Sequence, residues 1–217
     1  MIRERAQAAL ERGQEWEARG DPAKAVNAYR EAIALEPDWA APYRYLGALY
    51  LGAGRFDEAA ATFRKASHIP VAGDTFVDDM LALIQRIQAG ELDPAAYRYY
   101  ALAQALPDDE LDQRMNLCLK ALALNPRYAA PYIILGRVLL AKGQPNRART
   151  VLERGLTCTP TPYTRAMLLF NLGNVFLVSG LREKALEAFR GVVALNANLS
   201  ATRFARIQLE AAAAGRI

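Results

Sequence analysis

Leu35-Glu36-Pro37-Asp38-Trp39-Ala40-Ala41-Pro42-Tyr43 returns 89 residues later as Leu124-Asn125-Pro126-Arg127-Tyr128-Ala129-Ala130-Pro131-Tyr132. An internal repeat of this kind governs everything read after it. Working outward, four further series keep one rhythm. Gly13, Gly47, Gly136 and Gly173 are separated by 34, 89 and 37 residues. The same three steps separate Gly20, Gly54, Gly143 and Gly180, then Ala25, Ala59, Ala148 and Ala185, then Tyr29, Phe63, Leu152 and Phe189. The unit is 34 residues; 37 is one unit plus three, and 89 is two units plus 21, so the middle holds one divergent unit and an insertion.

Each series has a physical reason to exist. A small residue lets a first helix approach its neighbour closely. A glycine seven residues on takes the left-handed conformation that ends that helix. The alanine in a second helix sits at the crossing, and the large residue one turn later fills the space between the helices. Pro37 and Pro126 close second helices, because proline cannot continue one. Pro42 and Pro131 suit the first turn of the next. Ala, Leu, Arg and Glu favour helix and β-branched residues are sparse, so the fold expected is all-α.

Tyr43-x-x-Leu46-Gly47-x-x-Tyr50 with Gly54, Ala59, Phe63 and Ala66 resembles a tetratricopeptide repeat. So do Tyr132-x-x-Leu135-Gly136-x-x-Leu139 with Gly143, Ala148, Leu152 and Pro160, and Leu172-Gly173-x-x-Phe176 with Gly180, Ala185 and Phe189. The first unit keeps Gly13, Trp16, Gly20, Ala25, Tyr29, Ala32 and Pro37, with Arg12 where the family prefers Leu. Tyr99-x-x-Leu102-Ala103-x-x-Leu106 and Leu111 to Leu124 form a degenerate third unit, in which Arg114 replaces the small alanine and the register can slip by one. The resemblance implies a right-handed α-solenoid of about five helix pairs. Its divisions are residues 6–73 (two repeats), an insertion at 74–93, residues 94–199 (three repeats) and a terminal cap at 200–217. In the insertion, Phe76, Met80, Leu83, Ile84 and Ile87 mark one face of an amphipathic helix over 75–89, capped by Asp74 and ended by Gly90. A solenoid needs a cap, because its last repeat otherwise exposes an apolar side.

The resemblance also implies a function, which is to hold another protein rather than to catalyse. First helices of the family line a groove, and their inward places here are Leu10, Gln14 and Glu17; Arg44, Ala48 and Leu51; Tyr97, Tyr100 and Gln104; Ile133, Arg137 and Leu140; Phe170, Asn174 and Leu177, with Tyr45 and Asn171 at the edge. Aromatic, aliphatic and Arg side chains are the types enriched at interface centres. The expected partner is a peptide or amphipathic helix with apolar anchors against Tyr100, Ile133 and Phe170, a carboxylate at Arg44 or Arg137, and backbone bonds to Asn174. The two-carboxylate clamp of family members that bind chaperone tails is present only in fragments: Leu10, Gln14 and Tyr45, then Ile133, Arg137 and Asn171, fill its places. Two competing occupants of the groove are the 75–89 helix itself and the terminal helix of a second copy.

Other chemistries find little support. The 217 residues carry 27 basic and 23 acidic side chains, but 128–217 alone carry twelve basic and four acidic. That asymmetry admits nucleic-acid binding through the C-terminal half or a solvated outer surface. Arg147, Arg149, Arg154, Lys184 and Arg190 fall on second helices without interleaved aromatics, which disfavours nucleic acid. One histidine, His68, beside a helix end, supports no catalytic constellation. Cys118 and Cys158 read as small buried hydrophobes, so no metal or cofactor is expected. Asp108, Asp109, Glu110 and Asp112 open a helix and read as its cap. Gly52-Ala53-Gly54 is a turn, not a phosphate loop. The charged N-terminus lacks the apolar run of a leader, which points to the cytoplasm, where the triplet Asn198-Leu199-Ser200 meets no glycosylation.

Overall fold

The computed structural model describes residues 2–71, 75–196 and 199–213. Asp74, the expected cap of the inserted helix, and the acceptor Asn198 lie outside them. The described residues form twelve helices and no strand. None is long and apolar enough to cross a membrane.

Two compact units divide the chain. Met1–Ala72 with Met80–Gln85 form the first, and Gly73–Asp79 with Arg86–Ile217 the second. In the first, α1 (Ile2–Ala18) pairs with α2 (Pro22–Leu35) and α3 (Ala40–Gly52) with α4 (Phe56–Ser67). In the second, α6 (Pro94–Ala105) pairs with α7 (Leu111–Leu124), α8 (Ala130–Ala141) with α9 (Pro145–Thr157), and α10 (Pro162–Val178) with α11 (Arg182–Leu195). Between α4 and α6 lies α5 (Phe76–Gln88); no described helix runs beside it as a partner. The last helix, α12 (Leu199–Ala213), packs on α11 and α10 as α10 packs on α9 and α8.

The glycine series and the large-residue series meet in space. A Cβ placed on Gly47 would lie 2.7 Å from the Phe63 ring, and one on Gly173 would lie 2.6 Å from that of Phe189. Gly136 is equally blocked by Leu152, at 2.5 Å. Phe63, Leu152 and Phe189 are fully buried, so each small residue is the socket for its own repeat's largest core side chain. The turn glycines also do what the pattern demands. Gly54, Gly143 and Gly180 have φ of 74°, 70° and 71°. Around Gly54 the amide donates to the Leu51 carbonyl and the next amide to that of Tyr50, which satisfies the open carbonyls at the helix end.

The third repeat departs from this plan for a visible reason. Its turn, Leu106 to Glu110, has no glycine, and the chain leaves α6 in an extended conformation at Leu106. The second helix then enters one residue early. Cys118, not Leu119, fills the core place against Ala103, Ile134, Leu135 and Val138, while Leu119 and Leu102 face outward. Burial pushes the Cys118 thiol up to about 12. Glu110, at the cap position of α7, makes no hydrogen bond to the helix backbone; its carboxylate accepts instead from the Gln113 side-chain amide at 2.8 Å. Asp108 and Asp112 form ion pairs, described below.

Candidate interaction surface

In the second unit the first helices α6, α8, α10 and α12 pack on one another in sequence. Residues at equivalent places therefore form rows across them. One row is Tyr100, Ile133 and Phe170, each three residues before the small residue of its helix. The next is Gln104, Arg137 and Asn174, each one residue after it.

The row is not uniformly open. Tyr100 packs edge-on against Tyr128, with ring centroids 5.5 Å apart, and lies 6.4 Å from Tyr97. Burial drives its phenol well above the ordinary range, and the nearby Tyr163 and Tyr97 phenols add to the shift. Tyr97 and Ile133 are themselves buried. At this end Phe76 meets Tyr163 edge-on at 6.1 Å. Toward the other end the face opens. Phe170, Asn174, Leu177 and Leu140 are half-buried, and Arg137 and Gln104 are exposed. The Phe170 ring rests on Phe189 below it and meets Phe204 of α12 at 5.9 Å.

Charge on this face is partly met from within. The Asp108 carboxylate accepts from buried Arg114 and, at 3.2 Å, from Arg137. The Arg114 bond and the Arg137 charge hold the Asp108 carboxyl below its usual range. Asp112 accepts from Lys142 at 2.7 Å. Asn171 is buried, and its amide donates to the Met167 carbonyl of its own helix at 2.7 Å.

Sequence profiles of the tetratricopeptide repeat match residues 17–69, 117–150 and 134–201. The chain belongs to the tetratricopeptide repeat family. No curated protein matches it significantly. Among solved structures it is similar to MamA (21% identity over 88% of this chain and 92% of that one, TM-score 0.43). It is likewise similar to TTC0263, a protein of Thermus thermophilus (20% identity, 94% and 98% covered, TM-score 0.43). A third is YrrB, described as having an unusual peptide-binding site (17% identity, 86% and 84% covered, TM-score 0.37).

Within the tetratricopeptide frame of the first unit, the residues read as groove-lining are mostly engaged. Leu10 and Leu51 are core residues. Tyr45 stacks on Tyr29 at 5.7 Å, and Glu17 accepts from the Tyr29 hydroxyl. Arg44, Gln14 and Ala48 are half-buried.

Three contributors to the second unit's face escaped the sequence reading. Tyr163 sits on an extra opening turn of α10, which absorbs the three surplus residues of the last 37-residue step. Phe76 was assigned only to the apolar side of its own helix. Phe204 lies 34 residues after Phe170, so one more step of the repeat would have found it. A cleft of about 580 Å³ also opens among the interhelix connections, lined by Arg86, Glu91, Asn125, Arg127, Cys158 and Thr161. Its Arg86 is offset by Glu91 at 3.9 Å.

Proposed function

We propose that this tetratricopeptide repeat protein is a non-catalytic scaffold that holds a peptide or helix of another protein on the first-helix face of its second unit. One observation carries the reading: Phe170, Leu177 and Leu140 stand half-open beside Asn174 and Arg137, on first helices that pack directly together. Half-open apolar side chains with hydrogen-bonding neighbours suit a partner's apolar anchor and its backbone. Phe170 is the anchor site and Asn174 the backbone contact. A partner carboxylate would share Arg137 with Asp108. Tyr100 and Ile133 support this surface from beneath. The nucleic-acid alternative is the weaker one, because Arg147, Lys184 and Arg190 lie on the second helices α9 and α11 with no exposed aromatic among them; Phe189 of α11 is fully buried.

Capture from the native host tests the proposal. The wild-type chain is expected to retain a discrete protein in high salt, and Asn174→Ala, which leaves the packed Phe170 ring in place, to weaken that retention at an unchanged melting temperature. Bound material consisting of nucleic acid that high salt releases would contradict it.

A further inference from the structure

The first-helix face of the second unit differs between its two ends. Toward the C-terminal end of α10, Phe170 and Leu177 stand half-open. At the tyrosine end a side chain already lies on the face. The Phe76 ring meets that of Tyr163 edge-on, with centroids 6.1 Å apart and planes at 72°. Tyr163 stands seven residues before Phe170 on α10, two turns away on nearly the same side. Burial holds the Tyr100 phenol above its ordinary range, and the nearby Tyr163 phenol adds to the shift. Tyr100 in turn packs on Tyr128. Phe76 therefore completes an aromatic cluster whose other members belong to α6, α10 and the connection before α8.

The segment that brings Phe76 is not a repeat helix. No described helix runs beside α5 as a partner, and Phe76 sits in its opening turn, in the part of α5 that belongs to the second unit. Thr75, Phe76 and Val77 are half-buried and Asp78 is exposed, whereas Leu83, Ile84 and Ile87 further along are buried. The opening turn is closed by the Asp79 amide, which donates to the Thr75 carbonyl at 2.9 Å. Helix ends open more readily than buried middles, so Phe76 can leave the face while the rest of α5 keeps its place. The edge-on pair is also a directional contact. A leucine there would fill volume without presenting a ring to Tyr163.

We infer that Phe76 is an internal occupant of a second anchor site on this face, and that a partner enters the site with an aromatic side chain of its own, displacing the opening turn of α5. The inference rests on the scaffold reading above and names the partner's chemistry at the tyrosine end. A ring tethered within the chain competes at an effective concentration of ~mM. A partner overcomes it by adding contacts further along the face, at Phe170 and Asn174.

The probe is a fluorescein-labelled synthetic peptide copying residues 75–88, compared with the same peptide carrying Ala in place of its Phe. Anisotropy on the full chain is expected to show the Phe peptide binding Phe76→Ala at least about tenfold more tightly than wild type, because the competing ring is gone. The Ala peptide should bind Phe76→Ala at least about tenfold more weakly than the Phe peptide, having lost its anchor. Phe76→Leu, which keeps apolar bulk and so spares the fold, should gain affinity for the Phe peptide in the same direction. In the wild type, saturating Phe peptide should speed hydrogen exchange at the Asp79 amide as the opening turn is driven off. A ring that only completed the core would leave that rate unchanged. Equal affinity of the Phe peptide for wild type and both variants overturns the inference, as does equal affinity of the two peptides for Phe76→Ala or no binding of either. If Asn174→Ala weakens capture of a host protein while the Phe peptide treats wild type and Phe76→Ala alike, the scaffold face stands and the exchange at its tyrosine end falls.

Discussion

Gly173→Leu should unfold the C-terminal repeats at a temperature several degrees below wild type. The substituted Cβ alone would stand 2.6 Å from a ring carbon of Phe189, a side chain with no exposed surface into which to retreat. Two effects compete at such a site. Replacing a glycine inside a helix gains roughly 0.8–1 kcal/mol of helix propensity. Overpacking a closed core costs typically ~1–3 kcal/mol. For Gly173→Ala the two nearly offset, with a small net loss; for Leu, three more carbons must also be placed, and the steric cost wins by a wide margin. A loss of about 3 kcal/mol in a chain of this size lowers the melting temperature by roughly 6–12 °C. Each repeat rests on its neighbours, so the damage should spread beyond α10 and α11. His68→Ala, at the exposed end of α4, is the control and should stay within about 0.5 kcal/mol of wild type. Equal melting temperatures for Gly173→Leu and wild type would break the repeat alignment itself.

Tyr100→Ala is the second large effect, and it too should appear in stability. A freely exposed anchor could be truncated at little cost to the fold. Tyr100 instead packs against Tyr128 and Tyr97, with its hydroxyl buried deeply enough to resist ionisation. Truncating a packed aromatic costs about 3–5 kcal/mol, and the low end applies because part of this ring faces outward. Tyr100→Phe keeps the packed ring and removes only the hydroxyl, a change expected to cost about 1 kcal/mol. Thermal melts of the two variants should therefore separate clearly. Coincident melts of Tyr100→Ala and wild type would return Tyr100 to the ligand.

The repeat was legible because it is a covalent pattern with a steric cause. Gly47 and Phe63, or Gly173 and Phe189, recur at fixed spacing since each pair fills one socket, and spacing survives in sequence. The degenerate turn was half legible. Arg114 in an alanine place announced a departure, but not that Asp108 would swing to meet it and reach Arg137 as well. Depth was the least legible property. The repeat template assigns Ile133, Phe170 and Leu51 to equivalent kinds of place, yet Phe170 is half-open while Ile133 and Leu51 are closed over by other parts of the fold. Asn171 looked like an edge contact and is spent on its own helix. Phe204 lay in a segment with no glycine or proline to mark its register, although the 34-residue step reaches it.

The central claim is that partners are held on the first helices of the second unit. Photo-crosslinking from single positions tests it most directly. A photoreactive phenylalanine analogue at position 174, on the proposed face, would be compared with the same analogue at position 147 or 190, on the second helices α9 and α11. The scaffold account predicts that a captured partner crosslinks from 174 and from neither of the others. Crosslinks from 147 or 190 with none from 174 would place the functional surface on the basic second helices and contradict the account.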